Sequence, residues 1–392
     1  MKEKVYIRNV RRKGKFTALG RGDSPAEGSN GDMRRLSGFV LVLALSGATG
    51  WAQQRPASIF PPTNRIAFAA KLGDWGGFQP DCEKALKLKP FPLGNIAPPP
   101  HYTDTGVNTV HHANVEALGR EAKAIYRLSV CYQISNDHKY AAHAEQLLDS
   151  WATTVTGIGT QQGGSDVNFT VPFGLMGAYA LKSDPAWDPK PLAAAVRKYY
   201  LPVQHATTHK NNHANWGVFL EVTSGAFLGD DKLIETARNQ LLALMRSQVA
   251  EDGSLPLEIC RSDTNNYCGG ADQGLNGMHY THYALYPTTL AAEIFRSLGM
   301  DVYQTPEGAL LHKAYARAAA WSLHPETFPY YKKYGDRIGA TKGDAYFYIL
   351  QQVYPERDGA VLLNTRGDID GDDLNLLALY GYLPLSAYKF KQ

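Results

Sequence analysis

The stretch VEALGREAKAIYRLSVCYQI (Val115–Ile134), followed by KYAAHAEQLLDSWATTV (Lys139–Val155), decides the fold class. In the first segment Val115, Leu118, Ala122, Ile125, Leu128 and Tyr132 recur at intervals of three and four residues. In the second, Tyr140, Ala144, Leu147, Leu148 and Trp151 share one face in the same way. That is the period of an amphipathic helix. Two such segments across a short turn signal, Ser135, Asn136 and Asp137, predict an antiparallel helical hairpin.

Working outward, the same period runs through FGLMGAYALK from Phe173, PLAAAVRKYYLPV from Pro191 and ANWGVFLEVTSGAFL from Ala214. It continues through DKLIETARNQLLALMRSQV from Asp231, YALYPTTLAAEIFRSLG from Tyr283 and GALLHKAYARAAAWSL from Gly308. KSDPAWDP, LGDD and EDGSLP punctuate the series. Eight helices with almost no alternating strand pattern point to an all-α chain of antiparallel helical hairpins. Several of these helices are apolar on more than one face, as an inner ring covered by an outer one requires. The expected fold is therefore an α/α toroid, an incomplete α/α barrel, over residues 111–392, with an irregular bundle as the alternative. No exact repeat supports a regular solenoid. Residues 53–110, rich in Pro and Gly (PPTN, DWGGFQPD, KPFPLGNIAPPP), read as an irregular arm wrapped on that body.

Residues 1–52 read as a leader and signal peptide. From Met33 a short basic start, MRRLSG, precedes the apolar run FVLVLALSGATG, and the small residues Gly50 and Ala52 flank Trp51. The run is shorter than the roughly 20 residues that span a bilayer. Cleavage after Ala52 would give an exported chain, periplasmic or secreted, with no stable membrane span. The charge distribution supports removing this segment before reasoning about partners. Of 40 Lys and Arg against 37 Asp and Glu, ten basic and four acidic residues precede Ser37, so the +3 net charge becomes −3 for the remainder. Binding of nucleic acid through bulk positive charge is thereby disfavoured.

Four cysteines, Cys82, Cys131, Cys260 and Cys268, suit an oxidising compartment and contain no CxxC pair. Three pairings are open. Cys260 with Cys268, pinning a short Gly- and Asn-rich loop, is favoured, which leaves Cys82 with Cys131.

Three clusters could carry chemistry. His205, His209 and His213 in PVQHATTHKNNHANWG would share a face if the segment were one continuous helix, the geometry of a multi-histidine metal site. Pro202 just before them and the absence of HExxH argue against it, and no metal or cofactor is expected. Asn211, Asn212, His213 and Trp216 form the second cluster. An amide and an imidazole at the start of an apolar helix can hold a carboxylate and move a proton, while Asn211 is equally suited to cap the helix. The third joins Glu258 and Arg261 in LPLEICRSD to His279, Tyr280 and Tyr283 in GMHYTHYALYP. A guanidinium beside a phenol favours the phenolate, although an Arg261–Glu258 ion pair would be the commoner use of so close a pair. Amides, an imidazole, a guanidinium and a phenol are the parts of a β-elimination, in which a neutralised uronate carboxylate lets C5 lose its proton. A glycoside hydrolase's carboxylate pair is less well indicated, with Asp252 and Glu258 as the nearby acids.

KNNHANW (210–216), DGSLPLEICR (252–261) and YTHYALYP (280–287) resemble, in order, three segments of the alginate lyases of polysaccharide lyase family five. The hairpin from Tyr126 to Trp151 is similar to that of the same superfamily. The resemblance implies an α/α toroid that cleaves β-1,4-linked polymannuronate by metal-independent syn β-elimination, leaving 4,5-unsaturated ends. It implies that Asn212 and Arg261 neutralise the carboxylate, that His213 assists or acts as base, and that Tyr280 is the acid and also the base. An insertion between Arg261 and Tyr280 leaves Tyr283 as the other candidate. The chain is also similar to family thirty-eight lyases, which implies glucuronan or cellouronate as the alternative substrate and Asn168 as an alternative neutralising amide. Further alternatives are a zinc-dependent or carboxylate-based hydrolase and a non-catalytic uronate-binding protein.

Expected substrate contacts are Asn168, Asn211, Trp216, Glu258, His279 and Tyr283. With 23 Tyr and 6 Trp the chain has many flat side chains suited to sugar rings. FPYYKKYGDRIGATKGD from Phe328 adds Lys332, Lys333 and Arg337 as a basic contact surface. The expected partner is an anionic polysaccharide, met by a monomer. GDIDGDDLN from Gly367 lacks the ligand order of an EF-hand and reads as an acidic turn.

Overall fold

The computed structural model describes residues 78–365 apart from 104–105, 265–266 and 339–345, together with Pro56 and Ile59. These lie within the compact unit Gln54–Gln392. The expected signal segment and the Asp368–Asp373 turn fall outside the described residues.

The helices are α1 (Phe78–Ala85), α2 (Thr109–Ser135), α3 (His138–Thr154), α4 (Gln161–Leu181), α5 (Lys190–Ala195), α6 (Asn212–Leu228) and α7 (Asp231–Gln248). They continue with α8 (Pro256–Ile259), α9 (Gly277–Ser297), α10 (Pro306–Leu323), α11 (Tyr331–Tyr334), α12 (Phe347–Val353) and α13 (Arg357–Thr365). Two-residue strands β1 (Asn95–Ile96) and β4 (Gly157–Ile158) pair in parallel, and β2 (Tyr102–Thr103) pairs antiparallel with β3 (Gly106–Val107).

Sequence dictates which helices go inside. Nearly every described position of α4 and α6 is buried, whereas α7 buries only the stripe Ile234, Ala237, Leu241, Leu244, Met245 and Gln248. A helix without a polar face must be surrounded, and one with a single stripe must lie outside. Accordingly α2, α4, α6 and α9 pack in succession, α3 covers α2, α7 covers α6, and α10 rests on α7 and α9. This alternation of inner and outer helices is the expected α/α toroid.

The caps mark the turns that sequence pointed to. Asp137 caps α3, Asn211 caps α6, Asp230 caps α7, and Gly229 ends α6 in the left-handed region at φ 73°. One segment departs from the periodic reading: α4 begins at Gln161, twelve residues before Phe173, because Thr160 caps a glycine-containing start with its side chain on the Gly163 amide. The glycine at 177 lets α4 approach α2 closely, since a Cβ there would sit 3.1 Å from the Ile125 carbonyl oxygen.

The arm is anchored at its described part. Cys82 is bonded to Cys131, tying α1 to α2, and Asp81 pairs with Arg127 at 2.5 Å beneath it. Cys260 is bonded to Cys268, so both favoured pairings are present.

Candidate active site

Gly217 and Gly277 build the site by having no side chains. A Cβ on Gly217 would lie 2.2 Å from the Ala206 amide nitrogen, so only glycine lets the His205–Ala206 backbone lie on α6. A Cβ on Gly277 would lie 2.1 Å from the Ile259 carbonyl oxygen, and its absence brings the start of α9 against α8 and Arg261. Between α1 and α2 on one side and α6 and α9 on the other opens a cleft of about 860 Å³, the upper part of the range for ligand-binding cavities.

Asn212, His213, His279, Tyr280 and Tyr283 line one wall. Asn212 is the first residue of α6 and is wholly buried. Its backbone amide donates to Glu258 Oε1 at 2.5 Å and its Nδ2 to Glu258 Oε2 at 2.8 Å. Each carboxylate oxygen thus satisfies one donor, and Nδ2 keeps a second hydrogen. Glu258 therefore stands behind Asn212, away from the cleft wall. Burial outweighs these hydrogen bonds and the Arg261 charge, and raises its carboxyl to about 7.

Arg261 is 1% exposed and its guanidinium carbon lies 4.2 Å from the centroid of the Tyr280 ring. The Tyr280 hydroxyl meets that of Tyr102 at 2.5 Å. Burial first, and then the Tyr280 oxygen, push the Tyr102 phenol well above the ordinary range, so Tyr102 keeps its proton. Tyr283 occupies a different position. Its ring stacks on His279 at 5.7 Å and contacts Trp216 and Phe169, and burial raises its phenol far above the usual value. Burial lowers His279.

The remaining expected contacts lie elsewhere. Asn168 is fully engaged with backbone: Nδ2 donates to the Gly164 and Val203 carbonyls and Oδ1 accepts from the His205 amide. Asn211 Oδ1 accepts from the His213 amide as a helix cap. Trp216 is buried among Phe169, Phe173, Tyr283 and Tyr286. Lys332 and Lys333 in α11 and Arg337 beyond it do not line the cleft. Lys333 Nζ instead donates to the Ala271 carbonyl and Tyr334 to that of Gln273, so this stretch braces the insertion between Arg261 and Tyr280.

The histidine segment is not one helix. Residues 204–211 form turns, because Pro202 closes the preceding helical turn and Asn211 starts α6 afresh. The three rings gather all the same: His209 packs 4.2 Å from His205 and 5.1 Å from His213, and the His205 and His213 Nδ1 atoms are 3.4 Å apart. Burial, then the neighbouring His209, lower His205 to about 4.

The opposite wall escaped sequence reasoning. It carries Lys84, Lys87, His101, Tyr102, His111, Arg120, Lys123 and Glu116. His111 Nε2 lies 3.2 Å from Asp166 Oδ1, which also accepts from Gln162 at 2.9 Å, and His101 Nδ1 faces His111 Nδ1 at 3.1 Å. The spacing of Arg120, Lys123 and Arg127 on α2 was a readable signal of a basic face. His101 and Tyr102 had none, because an aperiodic arm gives no register from which to place them.

Across this cleft a buried amide and phenol face the side chains of Lys84, Lys87, Arg120 and Lys123. The alginate lyase family model matches residues 61–328. The chain belongs to the alginate lyase family. A polysaccharide lyase of Stenotrophomonas maltophilia (strain K279a) is 27% identical over 323 residues, covering 73% of this chain and 91% of that protein. The crystal structure of alginate lyase A1-III from Sphingomonas species A1 has a similar fold, with TM-score 0.66 at 20% identity over 85% of this chain and 96% of that one. A variant of that enzyme complexed with a tetrasaccharide aligns with TM-score 0.64 at 20% identity, over 85% and 95% of the two chains. The protein is thus a polysaccharide lyase, and its cleft is the candidate active site. Among the described residues no helix of this lyase is long and apolar enough to cross a membrane.

Proposed function

We propose that this lyase cleaves β-1,4-linked polymannuronate by syn β-elimination, with Tyr280 as both base and acid. The observation that carries the reading is the position of Tyr280: its ring lies against the Arg261 guanidinium and its hydroxyl meets Tyr102 in the wall of a charged cleft. Asn212 and His213, from the first turn of α6, receive the carboxylate of the uronate. Hydrogen bonds to that carboxylate stabilise the charge that spreads into it as C5 loses its proton. The Tyr280 phenolate takes H5, the C4–O4 bond breaks as the C4–C5 double bond forms, and Tyr280 returns the same proton to O4. No water is consumed. One residue serves both steps because H5 and O4 lie on the same side of a mannuronate ring. Arg261 and the Tyr102 hydroxyl offset the negative charge on the Tyr280 oxygen before it takes the proton. Lys84, Lys87, Arg120 and Lys123 hold the carboxylates of neighbouring sugars. The basic, apolar leader and the two disulfides support export of the enzyme.

The test is a product assay on purified polymannuronate and polyglucuronate with chelator present. The expected result is the ultraviolet absorbance of a 4,5-unsaturated end from polymannuronate, undiminished by chelator. New reducing ends without that absorbance would establish hydrolysis instead, and a faster rate on polyglucuronate would move the substrate assignment to that polymer.

A further inference from the structure

We propose that His205, His209 and His213 form a site for one divalent transition-metal ion of the zinc class, and that its occupancy inhibits the lyase by withdrawing His213 from the substrate carboxylate. The inhibitory half rests on the role assigned to His213 above; the binding half does not. The ligand nitrogens of the three residues all lie within 4.8 Å of one another. Two nitrogens on a tetrahedral zinc, each about 2.0 to 2.1 Å from the metal, are about 3.3 Å apart. The His205 and His213 Nδ1 atoms, at 3.4 Å, already stand at that separation. His209 stacks on His213 with an interplanar angle of 18° and lies 4.2 Å from the His205 ring, beside both of the other ligands.

The backbone carrying these rings is fixed by contacts independent of the rings themselves. Asn168 Oδ1 accepts from the His205 amide at 3.1 Å, and Gly217 admits the His205–Ala206 segment against α6. The His209 amide donates to the His205 carbonyl at 3.2 Å, closing the turn. Thr208 Oγ1 lies 2.9 Å from His209 Nδ1, an outer partner of the kind that orients a ligating imidazole. His213 is held by the first turn of α6, which Glu258 anchors through Asn212. Three protein nitrogens fit zinc better than magnesium or calcium, which select oxygen.

The consequence for turnover follows from His213 belonging to both sites. A coordinated imidazole has given its lone pair to the metal and is held against His205 and His209. It can neither take up a proton nor turn to follow the substrate.

Zinc chloride titrated against the full chain in competition with a chromophoric chelator measures stoichiometry and affinity without turnover. One ion per chain is expected, with the rate of unsaturated-end formation falling as the site fills and returning when chelator is added. His209→Ala, outside the cleft wall, should keep the metal-free rate and weaken zinc binding and inhibition together, on the order of 100-fold. Failure to bind one ion, or equal affinity in His209→Ala, overturns the site. Saturation with the rate unchanged or raised overturns the inhibitory role. Neither result bears on the elimination, which is judged by unsaturated product formed in chelator.

Discussion

On one wall of the cleft Asn212 and Tyr280 are almost wholly buried and held by neighbours from other elements: Glu258 under Asn212, the buried guanidinium of Arg261 on the Tyr280 ring, Tyr102 on the Tyr280 hydroxyl. On the other wall Lys84 from α1, Lys87 from the turn after it and Arg120 from α2 reach into solvent, and the structure around them is secured by the Cys82–Cys131 bond and the Asp81–Arg127 pair. Groups that must meet developing charge at a fixed point need positions set by packing and paired hydrogen bonds. Groups that hold a polymer's repeated carboxylates need charge and reach, and can tolerate mobility. The two walls should therefore fail differently when altered, the first in kcat and the second in KM.

Tyr280→Phe is the severest break. It keeps the ring on Arg261 and removes the oxygen that takes and returns the proton. The expected loss is about 10² to 10⁴-fold in kcat, with KM little changed and folding intact by circular dichroism. Tyr283→Phe should keep most of the rate, because the stacked, deeply buried Tyr283 is assigned no proton. Full activity in Tyr280→Phe would remove the wall's central residue from the chemistry.

Opening the Cys82–Cys131 bond in the double serine variant tests the second wall. The bridge spans 49 residues, for which loop-closure entropy predicts a stabilisation of about 4 kcal/mol. Urea unfolding should show that loss in the midpoint, and the surviving folded enzyme should have a raised KM with kcat nearly kept. A fall in kcat with unchanged KM would mean that α1 and α2 support the reacting wall instead.

Glu258 offers a pH test confined to the first wall. Its carboxyl titrates at about 7 against an ordinary 4.5, so the folded protein binds the proton more tightly than the unfolded chain. Stability attributable to this residue is therefore retained below pH 4.5 and lost as pH rises toward 7, on the order of 3 kcal/mol in all. Glu258→Gln removes that dependence. The wild type should lose stability relative to the variant between those pH values, and parallel profiles would show that Glu258 is ionised without penalty.

How much was legible follows the same division. Helix periodicity gave the hairpins, and the clusters around Asn212, Arg261 and Tyr280 are short in sequence, so the first wall could be read from local stretches. Periodicity could not show that Glu258 backs Asn212, because 46 residues separate them and only the approach of α8 to α6 joins them. The segment through His205, His209 and His213 is not a continuous helix, as Pro202 suggested, yet the rings still cluster, since a turn can bring them together as well as a helical face. Lys332, Lys333 and Arg337 were read as substrate contacts from a short basic, tyrosine-rich stretch. Charge reveals a surface but not what that surface faces, and here Lys333 and the neighbouring Tyr334 bond the loop of Ala271 and Gln273. The basic side chains that line the cleft come from α1, the turn after it and α2.

The smallest expected effect tests that wall directly. Arg120 and Lys87 are exposed, and each exposed charge contributes no more than about 1 kcal/mol to an ionic contact. Arg120→Ala and Lys87→Ala should each raise KM for polymannuronate about two- to five-fold at unchanged kcat, since neither residue meets the sugar that loses its proton. The contribution is electrostatic and solvent-screened, so it should shrink as ionic strength rises and the screening length falls below about 10 Å. The wild type and both variants should then converge in KM at high salt, while Tyr280→Phe stays as impaired there as at low salt. A variant whose defect persisted in kcat at high salt would place its charge beside the reacting sugar, and the boundary between the two walls would have to be redrawn.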